Sequence, residues 1–294
     1  MKFKFDYQTP NIIAEIGCNH MGNIDIAKEL IDLAHQSGAK YVKFQKRNSK
    51  ELLTGEQYNK AHPVPENAYG ETYGKHRENL EFSFEQHKEL KQFCEKLGVV
   101  YSTSVWDLTS AKEMIALNPE FLKVPSACNN NFAMLKILRD DFKGQIQLSI
   151  GMTKRDEVEE IVSFFEKNNS AKSRLLIYSC TSGYPVPSID VSLLEINWLY
   201  ENYGERVNQI GFSGHHNGIA LDIAAYTLGA RWIERHFTKN RTWKGTDHAA
   251  SLEPHGLQKL VRNLNSTYDA LRFKSLEILP IEQEQRDKLK NRKQ

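Results

Sequence analysis

Residues 11–45 read NIIAEIGCNHMGNIDIAKELIDLAHQSGAKYVKFQ and contain one complete strand, helix and strand in succession. The apolar run NIIAEIG (11–17) is typical of a buried strand, and DIAKELIDLAHQSG (25–38) has the apolar spacing of an amphipathic helix. The second strand, YVKFQ (41–45), follows after a short turn. This order predicts two neighbouring parallel strands joined by a helix.

The same alternation continues along the chain. Six further strand-like runs follow, at 99–104, 121–126, 145–151, 174–182, 208–214 and 231–238. Helical patterns separate them, at 83–98, 108–118, 130–142, 154–169, 190–203 and 218–229, with a last one at 253–272. Eight such units in about 260 residues have the count and spacing of a (β/α)8 TIM barrel, which we predict. The alternative is an open doubly wound sheet, which usually has fewer strands and one ligand-binding switch point.

The domain organisation follows from this count. We expect the barrel over residues 1–275 and a charged C-terminal tail over 276–294. The segment 46–82 has no clear periodicity. Because it follows the second strand, we expect it to lie over the C-terminal face of the barrel as a lid.

Composition excludes several classes of protein. The 294 residues carry 39 basic and 37 acidic side chains, so bulk charge does not hold the chain to nucleic acid. No apolar run approaches the ~20 residues of a membrane span, and MKFKFDYQTP (1–10) lacks the apolar core of a secretory signal. The four cysteines, which include Cys128, are far apart and typical of reduced thiols. We therefore expect a cytoplasmic protein with neither nucleic acid nor membrane as a partner.

Polar side chains are dense on the predicted strands and in the loops directly after them, where a barrel builds its active site. In chain order they are Glu15, Asn19, His20, Lys43, Gln45, Ser102, Thr103, Ser104, Lys123, Ser126, Ser149, Ser179, Thr181, Ser182, Tyr184, Ser213, His215, His216, Glu234, His236 and Asp247. Buried lysine and glutamate are rare unless paired, so this collection indicates a polar ligand. Lysines and hydroxyls suit phosphate and carboxylate oxygens, and the absence of a P-loop or G-x-G-x-x-G motif favours a small anion over a nucleotide.

Two histidines form a candidate metal site. His215 and His236 fall on neighbouring strands, which lie ~4.8 Å apart, so their imidazoles could share one ion. Two histidines with oxygen or water ligands suit Mn²⁺, Zn²⁺ or Fe²⁺. His20 and His216 are further candidates, as ligands or as hydrogen-bond partners.

Several segments carry a resemblance to a known family. The most specific are AEIGCNH (14–20), KFQ (43–45) and ERHFT (234–238), accompanied by LKVPSACNNN (122–131) and GTDHAASLEP (245–254). Together they resemble the sialic acid synthases, also called N-acetylneuraminate or nonulosonate synthases. The resemblance covers about residues 11–272, which is the whole expected barrel.

The resemblance implies a reaction. Members of this family condense phosphoenolpyruvate with the aldehyde carbon of an open-chain aldose, such as N-acetylmannosamine, and release phosphate and a 3-deoxy-2-keto sugar acid. They are expected to need a divalent metal, with Mn²⁺ favoured, and to form homodimers.

The resemblance also implies roles for individual residues. Lys43, Ser126, Ser149 and Ser213 would hold the phosphate of enolpyruvate, and Lys123 and Thr103 its carboxylate, with Ser182 also in the substrate site. Gln45, Tyr184 and Asp247 would face the sugar, while His215 and His236 would bind the metal. Glu15 would lie near the reacting carbons, where it could stabilise positive charge at carbon 2 or help to deliver the attacking water. Glu15, Lys43, His215 and His236 are thus the expected catalytic residues.

The chain departs from the family pattern mainly on the sugar side. Cys128 stands where an acidic residue is usual, and Ser213-Gly214-His215 replaces Ser-Asp-His. The resemblance covers the barrel, so we expect a synthase without the C-terminal antifreeze-like domain that is common in the family. We expect retained enolpyruvate chemistry with an altered acceptor.

Two other functions stay open from the sequence. The first is the same chemistry on a shorter or phosphorylated aldose, as in octulosonate or heptulosonate synthases. Lys46, Arg47, His76 and Arg77 would then supply the extra basic patch. The second is a non-catalytic sugar-binding barrel, since barrels carry many functions.

Overall fold

The computed structural model describes residues 6–290 and contains a closed barrel of eight parallel strands. The strands are β1 (Asn11–Gly17), β2 (Tyr41–Lys46), β3 (Val100–Val105), β4 (Phe121–Val124), β5 (Gln145–Ser149), β6 (Leu175–Cys180), β7 (Gln209–Gly214) and β8 (Trp232–His236). Each strand pairs with its neighbours in chain order, and β8 pairs with β1. The prediction of a (β/α)8 barrel is confirmed, and the open sheet is excluded.

Thirteen α-helices occur within the part of the chain that the structure describes. They are α1 (Ile24–Gln36), α2 (Ser49–Leu52), α3 (Gly55–Asn59), α4 (Tyr73–Asn79), α5 (Phe84–Leu97), α6 (Leu108–Leu117), α7 (Phe132–Asp141), α8 (Arg155–Glu166), α9 (Ser170–Arg174), α10 (Glu195–Tyr203), α11 (Ala220–Thr227), α12 (Pro254–Ala270) and α13 (Pro280–Leu289). Eight of them, α1, α5 to α8 and α10 to α12, coincide with the helical patterns in the sequence. No helix within residues 6–290 is both long enough and apolar enough to cross a membrane.

Successive side chains of each strand point alternately outwards and inwards, which gives the barrel two separate apolar regions. Side chains that point outwards, such as Ala14, Val42 and Phe44, pack against the helices in the main core. Side chains that point inwards at one end, among them Ile13 and Trp232, form a separate buried cluster with Phe121, Leu176 and Tyr178. The inward-facing positions beyond this apolar cluster, towards the C-terminal ends of the strands, are polar. We call this end of the barrel the mouth.

The segment 46–82 is not structureless, because it contains the short helices α2, α3 and α4. Helices of four to seven residues span too few turns to show an apolar period in the sequence. The Asn67 side-chain oxygen accepts a hydrogen bond from the backbone N–H of Gly245 at 3.1 Å, and the Tyr69 hydroxyl donates one to the carbonyl of Lys244 at 2.5 Å. The segment therefore reaches from β2 to the loop that follows β8, on the side of the barrel that carries the mouth.

Candidate active site

Two lysines and two glutamates form a buried cluster inside the mouth. The Lys43 ammonium contacts a carboxylate oxygen of Glu15, its register partner on β1, and lies 3.8 Å from a carboxylate oxygen of Glu234. It also donates to the Ser104 hydroxyl at 2.8 Å. The Lys123 ammonium donates to both oxygens of Glu234, at 3.0 and 3.1 Å. Each of the four charged residues is at most 5% exposed, so the cluster is a fully enclosed, paired set of charges.

The two glutamates of the cluster differ in the pKa of their carboxyl groups. Burial raises the pKa of Glu15, and the opposing effect of Lys43 is not enough to reverse it. Glu234 is equally buried, but Lys123 and Lys43 outweigh the burial and lower its pKa to about 2. Glu234 is therefore a fixed counter-charge for both lysines, while Glu15 is the carboxylate better suited to accept a proton.

Serine hydroxyls converge beside this cluster. A Cβ atom on Gly151 would lie 2.5 Å from the Ser182 hydroxyl oxygen and 2.8 Å from that of Ser126. Ser213, on β7, donates to Glu234 at 3.1 Å, and Ser149 is buried at the end of β5. Only a glycine at position 151 leaves room between these hydroxyls, so the backbone here approaches a space suited to a small oxyanion.

The polar groups expected to face the sugar gather around Gly17. A Cβ atom on Gly17 would lie 2.9 Å from the Gln45 amide nitrogen, 3.0 Å from a Glu15 oxygen and 3.4 Å from an Asp247 oxygen. The Gln45 amide donates to Glu15 at 3.1 Å. Tyr184 completes this side, with its ring centroid 4.4 Å from that of His215. Gln45, Asp247 and Tyr184 therefore share one end of the mouth with the Glu15 carboxylate.

The two candidate metal ligands lie side by side, with ring centroids 5.4 Å apart. His215 Nδ1 donates to the carbonyl of Thr181 at 2.9 Å, which leaves the lone pair of its Nε2 available. Burial, aided by His236, lowers the pKa of His215 to about 3, so its ring is neutral at physiological pH. His236 Nδ1 is buried, 3.7 Å from an Asp247 oxygen, and has no hydrogen-bond partner among residues 6–290.

This donor set fits a divalent ion in part. A neutral imidazole and a buried nitrogen with no partner are what a metal ligand pair requires. Among residues 6–290, however, no group of three or more His, Cys, Asp or Glu side chains could hold a metal ion. His215 and His236 would therefore supply two ligands of such an ion, and other oxygen donors would have to complete its coordination.

Three of the residues singled out in the sequence lie elsewhere. Thr103 alternates with Ser104, so it shares the helix-facing side of β3 with Tyr101, and Ser104 takes the place beside Lys43. The His20 ring stacks on Phe82 with centroids 4.0 Å apart, so it is not part of the metal pair.

His216 also faces away from the mouth. Its Nε2 accepts from the guanidinium of Arg235 at 3.2 Å and lies 3.3 Å from an oxygen of Asp222. Arg235 donates as well to the backbone carbonyl of His216 at 2.6 Å. Because Arg235 alternates with Glu234 and His236, this buried network on the outer side of β8 fixes the loop that carries His215.

Two residues of the cluster had no role assigned to them by the sequence analysis. Glu234 was recognised only as one of the polar strand residues, yet it is the counter-charge of both lysines. Glu234 could have been recognised from the sequence because it lies two residues before His236 on the same strand, so both side chains are on one face. Ser104 could have been found in the same way, because Gln45 is its register partner on β2 and points inwards.

Comparison with known proteins places the chain in a family. The model of the NeuB family matches residues 30–275. The chain belongs to the NeuB family. N-acetylneuraminate-9-phosphate synthase of Homo sapiens is 36% identical over 279 residues, which cover 95% of this chain and 76% of that protein. N,N'-diacetyllegionaminic acid synthase of Campylobacter jejuni is 33% identical over 260 residues, covering 88% and 77%.

A solved structure agrees with this placement in the NeuB family. The N-acetylneuraminic acid (sialic acid) synthetase of Leptospira borgpetersenii serovar Hardjo-bovis, in complex with citrate, superposes with a TM-score of 0.79 at 30% identity. The match covers 97% of this chain and 94% of that one. The resemblance to sialic acid synthases and the expectation of a sugar-acid synthase are thereby confirmed.

Proposed function

We propose that the chain condenses phosphoenolpyruvate with the aldehyde carbon of an open-chain N-acetylhexosamine, giving a nonulosonic acid and phosphate. The observation that carries this proposal is the enclosed cluster of Lys43, Lys123, Glu15 and Glu234 beside the His215–His236 pair. Two buried ammonium groups suit the two anionic ends of enolpyruvate. Relatives in the NeuB family that bear the names of nonulosonic acid synthases support the same reaction.

The lysines and serines would bind enolpyruvate. Lys43 and the hydroxyls of Ser126, Ser149, Ser182 and Ser213 would hold the phosphate, and Lys123 the carboxylate. Each ammonium has three N–H donors, so it can keep Glu234 as a partner while it binds the substrate anion. Enclosure within the mouth strengthens these charge-assisted hydrogen bonds by excluding water.

Bond formation would follow from this placement. Carbon 3 of enolpyruvate attacks the aldehyde carbon and a carbon–carbon bond forms. The carbon–oxygen π bond of the aldehyde opens, its oxygen takes up a proton to become a hydroxyl, and positive charge develops at carbon 2. Water adds to carbon 2 and loses a proton, and the phosphate then leaves, so one water is consumed for each phosphate released. The Glu15 carboxylate would stabilise the charge at carbon 2, and its raised pKa suits it to accept the proton of the water.

His215 and His236 would hold the divalent metal, which we expect to be Mn²⁺. When bound, such an ion acts as a Lewis acid towards an aldehyde oxygen. The Gln45, Tyr184 and Asp247 side chains would orient the sugar so that its aldehyde carbon meets carbon 3 of enolpyruvate.

We also propose a cytoplasmic homodimer. Met152, Ile189 and Leu194 are large apolar side chains, each more than half exposed, in the segments after β5 and β6. Exposed apolar side chains in neighbouring segments support an interface with a second chain. All four cysteines are free thiols, which agrees with a reducing compartment.

The reaction is tested by phosphate release from phosphoenolpyruvate with Mn²⁺, across free and phosphorylated hexosamines, hexoses and pentoses. We expect release that requires both an N-acetylhexosamine and the metal, and that stops in EDTA. Thermal stabilisation by phosphoenolpyruvate without release from any aldose would instead support a barrel that only binds.

The Gly151→Ala variant tests the oxyanion space. Because its Cβ atom would meet the hydroxyls of Ser182 and Ser126, we expect the KM for phosphoenolpyruvate to rise about tenfold, equal to about 1.4 kcal/mol of binding. The nearest side-chain atom to a Cβ on Gly256 is 3.5 Å away, so Gly256→Ala is the matched control. Steady-state kinetics with varied phosphoenolpyruvate measure the effect, and an unchanged KM in Gly151→Ala would contradict this placement of the anion.

A further inference from the structure

Tyr178 connects the apolar cluster inside the barrel to the charges in the mouth. It lies on β6, is fully buried, and belongs to the same cluster as Phe121 and Trp232. The Lys123 ammonium lies over its ring, 4.1 Å from the ring centroid. At that distance the ammonium contacts the π face, where the negative potential of an aromatic ring attracts a cation.

Contacts with two neighbouring strands hold the ring in this position. The Tyr178 hydroxyl donates a hydrogen bond to the Gln147 side-chain oxygen at 2.7 Å, and Gln147 is the register partner of Lys123 on β5. On β7 the register partner of Tyr178 is Gly211, where a Cβ atom would lie 2.6 and 2.7 Å from two ring carbons. Glycine at that position leaves the space that the ring occupies. The ring therefore cannot turn away from Lys123 without leaving a buried hydroxyl unpaired.

Lys123 has less carboxylate charge around it than Lys43 has. Among residues 6–290 its ion pair is with Glu234, whereas Lys43 contacts Glu15 and also lies 3.8 Å from Glu234. Burial, together with the neighbouring Lys43, outweighs Glu234 and lowers the pKa of Lys123. The π face of Tyr178 attracts the charged form of Lys123 without adding a net negative charge, so it does not repel a substrate anion as a second carboxylate would.

We propose that Tyr178 is a positioning residue for Lys123: its π face holds the ammonium group where it binds the carboxylate of phosphoenolpyruvate. This inference rests on the proposed function, because that function assigns the enolpyruvate carboxylate to Lys123. Lys123 is enclosed, and a desolvated cation–π contact corresponds to about 30-fold in affinity. Because Tyr178 acts through Lys123, its effect falls on the binding of phosphoenolpyruvate and not on that of the aldose.

The test varies the electron density of the ring while it keeps the shape of the ring. Tyr178 is replaced by nonsense suppression with phenylalanine that carries no, two or three fluorine atoms. Fluorine withdraws electrons from the π face, so a cation–π contact weakens with each fluorine while the packing hardly changes. We expect the KM for phosphoenolpyruvate to rise stepwise, to about tenfold above that of Tyr178→Phe with three fluorines. The kcat and the KM for the aldose should stay unchanged.

Two variants without fluorine separate the ring from its hydroxyl. Tyr178→Phe loses the hydrogen bond to Gln147, so it should melt at a lower temperature, but it keeps the ring and should keep a KM close to that of wild type. Tyr178→Leu removes the ring and should raise the KM for phosphoenolpyruvate about 30-fold. A KM that followed the melting temperature rather than the presence of the ring would show a structural role and overturn the inference.

Phe121 provides the matched control for fluorination. It is a fully buried phenylalanine of the same apolar cluster, and its ring packs against the rings of Tyr41 and Trp232 rather than against a cation. The same fluorinated series at position 121 should leave the KM for phosphoenolpyruvate unchanged. An equal rise of the KM from fluorine at either position would overturn the inference.

Binding without an acceptor separates this inference from the proposed function. Isothermal titration with phosphoenolpyruvate alone should show the same stepwise loss of affinity across the series at Tyr178. That trend in a protein that turns over no aldose would contradict the condensation but support the role of Tyr178. Equal affinity across the series, in a protein that releases phosphate with an aldose, would support the condensation and overturn the inference. A wild-type protein that does not bind phosphoenolpyruvate would overturn both.

Discussion

Replacing Lys43 with methionine is expected to lower kcat/KM for phosphate release from phosphoenolpyruvate by about 10³-fold or more. Lys43 supplies a positive charge inside an enclosed site, and removal of one preorganised donor of this kind costs about 10²- to 10³-fold in rate. The loss is larger here because the same substitution leaves Glu15 unpaired next to the substrate anion. Coupled phosphate release under saturating acceptor and Mn²⁺ measures the effect.

Controls separate this loss from unfolding. Breaking a buried ion pair by removing one partner costs about 3–5 kcal/mol of stability, so Lys43→Met should also melt at a lower temperature. The double variant Glu15→Gln/Lys43→Met removes the orphaned charge and should recover much of that stability while remaining inactive. Lys40→Met, an exposed lysine just before the opposite end of β2, should behave as wild type. Release within tenfold of wild type by a folded Lys43→Met protein would contradict the role of Lys43.

Replacing His236 with phenylalanine is expected to lower kcat at least 100-fold and to weaken Mn²⁺ binding by a similar factor. Within the part of the chain that the structure describes, its buried Nδ1 has no hydrogen-bond partner. The ring lies beside the neutral His215, so the pair is arranged to donate lone pairs. Changes even to the partners of metal ligands cost about 10- to 100-fold in metal affinity, and loss of a ligand should cost at least as much. Titration of Mn²⁺ followed by electron paramagnetic resonance measures the affinity directly.

His255 provides the matched control for the metal pair. It is an exposed histidine on α12, so His255→Phe should change neither activity nor Mn²⁺ affinity. Wild-type activity should fall to background in EDTA and return with added Mn²⁺. If His236→Phe bound Mn²⁺ as tightly as wild type, or if wild type kept its full rate in EDTA, the assignment of the metal to this pair would be wrong.

The sequence was sufficient to predict the barrel fold and most of the residues that line its mouth. Strand-like runs of five to nine residues at regular spacing predict strands, and period-two alternation then tells which side chains point inwards. Lys43 and Gln45 alternate around Phe44, and the structure places both inside the barrel beside Glu15. The register of the strands then determines which inward-facing side chains meet, because parallel strands of a closed barrel bring residues at equal heights together.

Other features depended on information that no single strand carries. Thr103 and Ser104 are adjacent hydroxyl residues, and only the register with β2 decides which one meets Lys43. His216 adjoins His215, yet it turns outwards because Arg235 and Asp222 hold it there, from a different strand and a helix. The sequence alone does not show which of two adjacent residues of the same chemistry faces the site, because contacts with other strands and helices set the direction of their side chains.

The surroundings of Arg77 could not have been predicted either: among residues 6–290, its Nε and Nη2 atoms are buried without a hydrogen-bond acceptor. Arg77 belongs to the basic patch expected from the sequence, but in the folded chain the members of that patch have different partners. Arg47 has Glu81, and Lys46 donates to the carbonyl of Phe82 at 2.9 Å. Arg77 differs because two of its nitrogen atoms meet no acceptor among the described residues, which is a property of the packed surroundings rather than of composition.

Identification of the reaction product tests the central claim most directly. Phosphoenolpyruvate labelled with ¹³C at carbon 3 is incubated with the protein, Mn²⁺ and an N-acetylhexosamine or its 6-phosphate, and the mixture is analysed by mass spectrometry and ¹³C NMR. The account predicts a 3-deoxy-2-keto sugar acid whose labelled methylene carbon is bonded to the former aldehyde carbon, formed in equal amount to the phosphate released. Labelled pyruvate in place of the sugar acid would show plain hydrolysis and contradict the condensation.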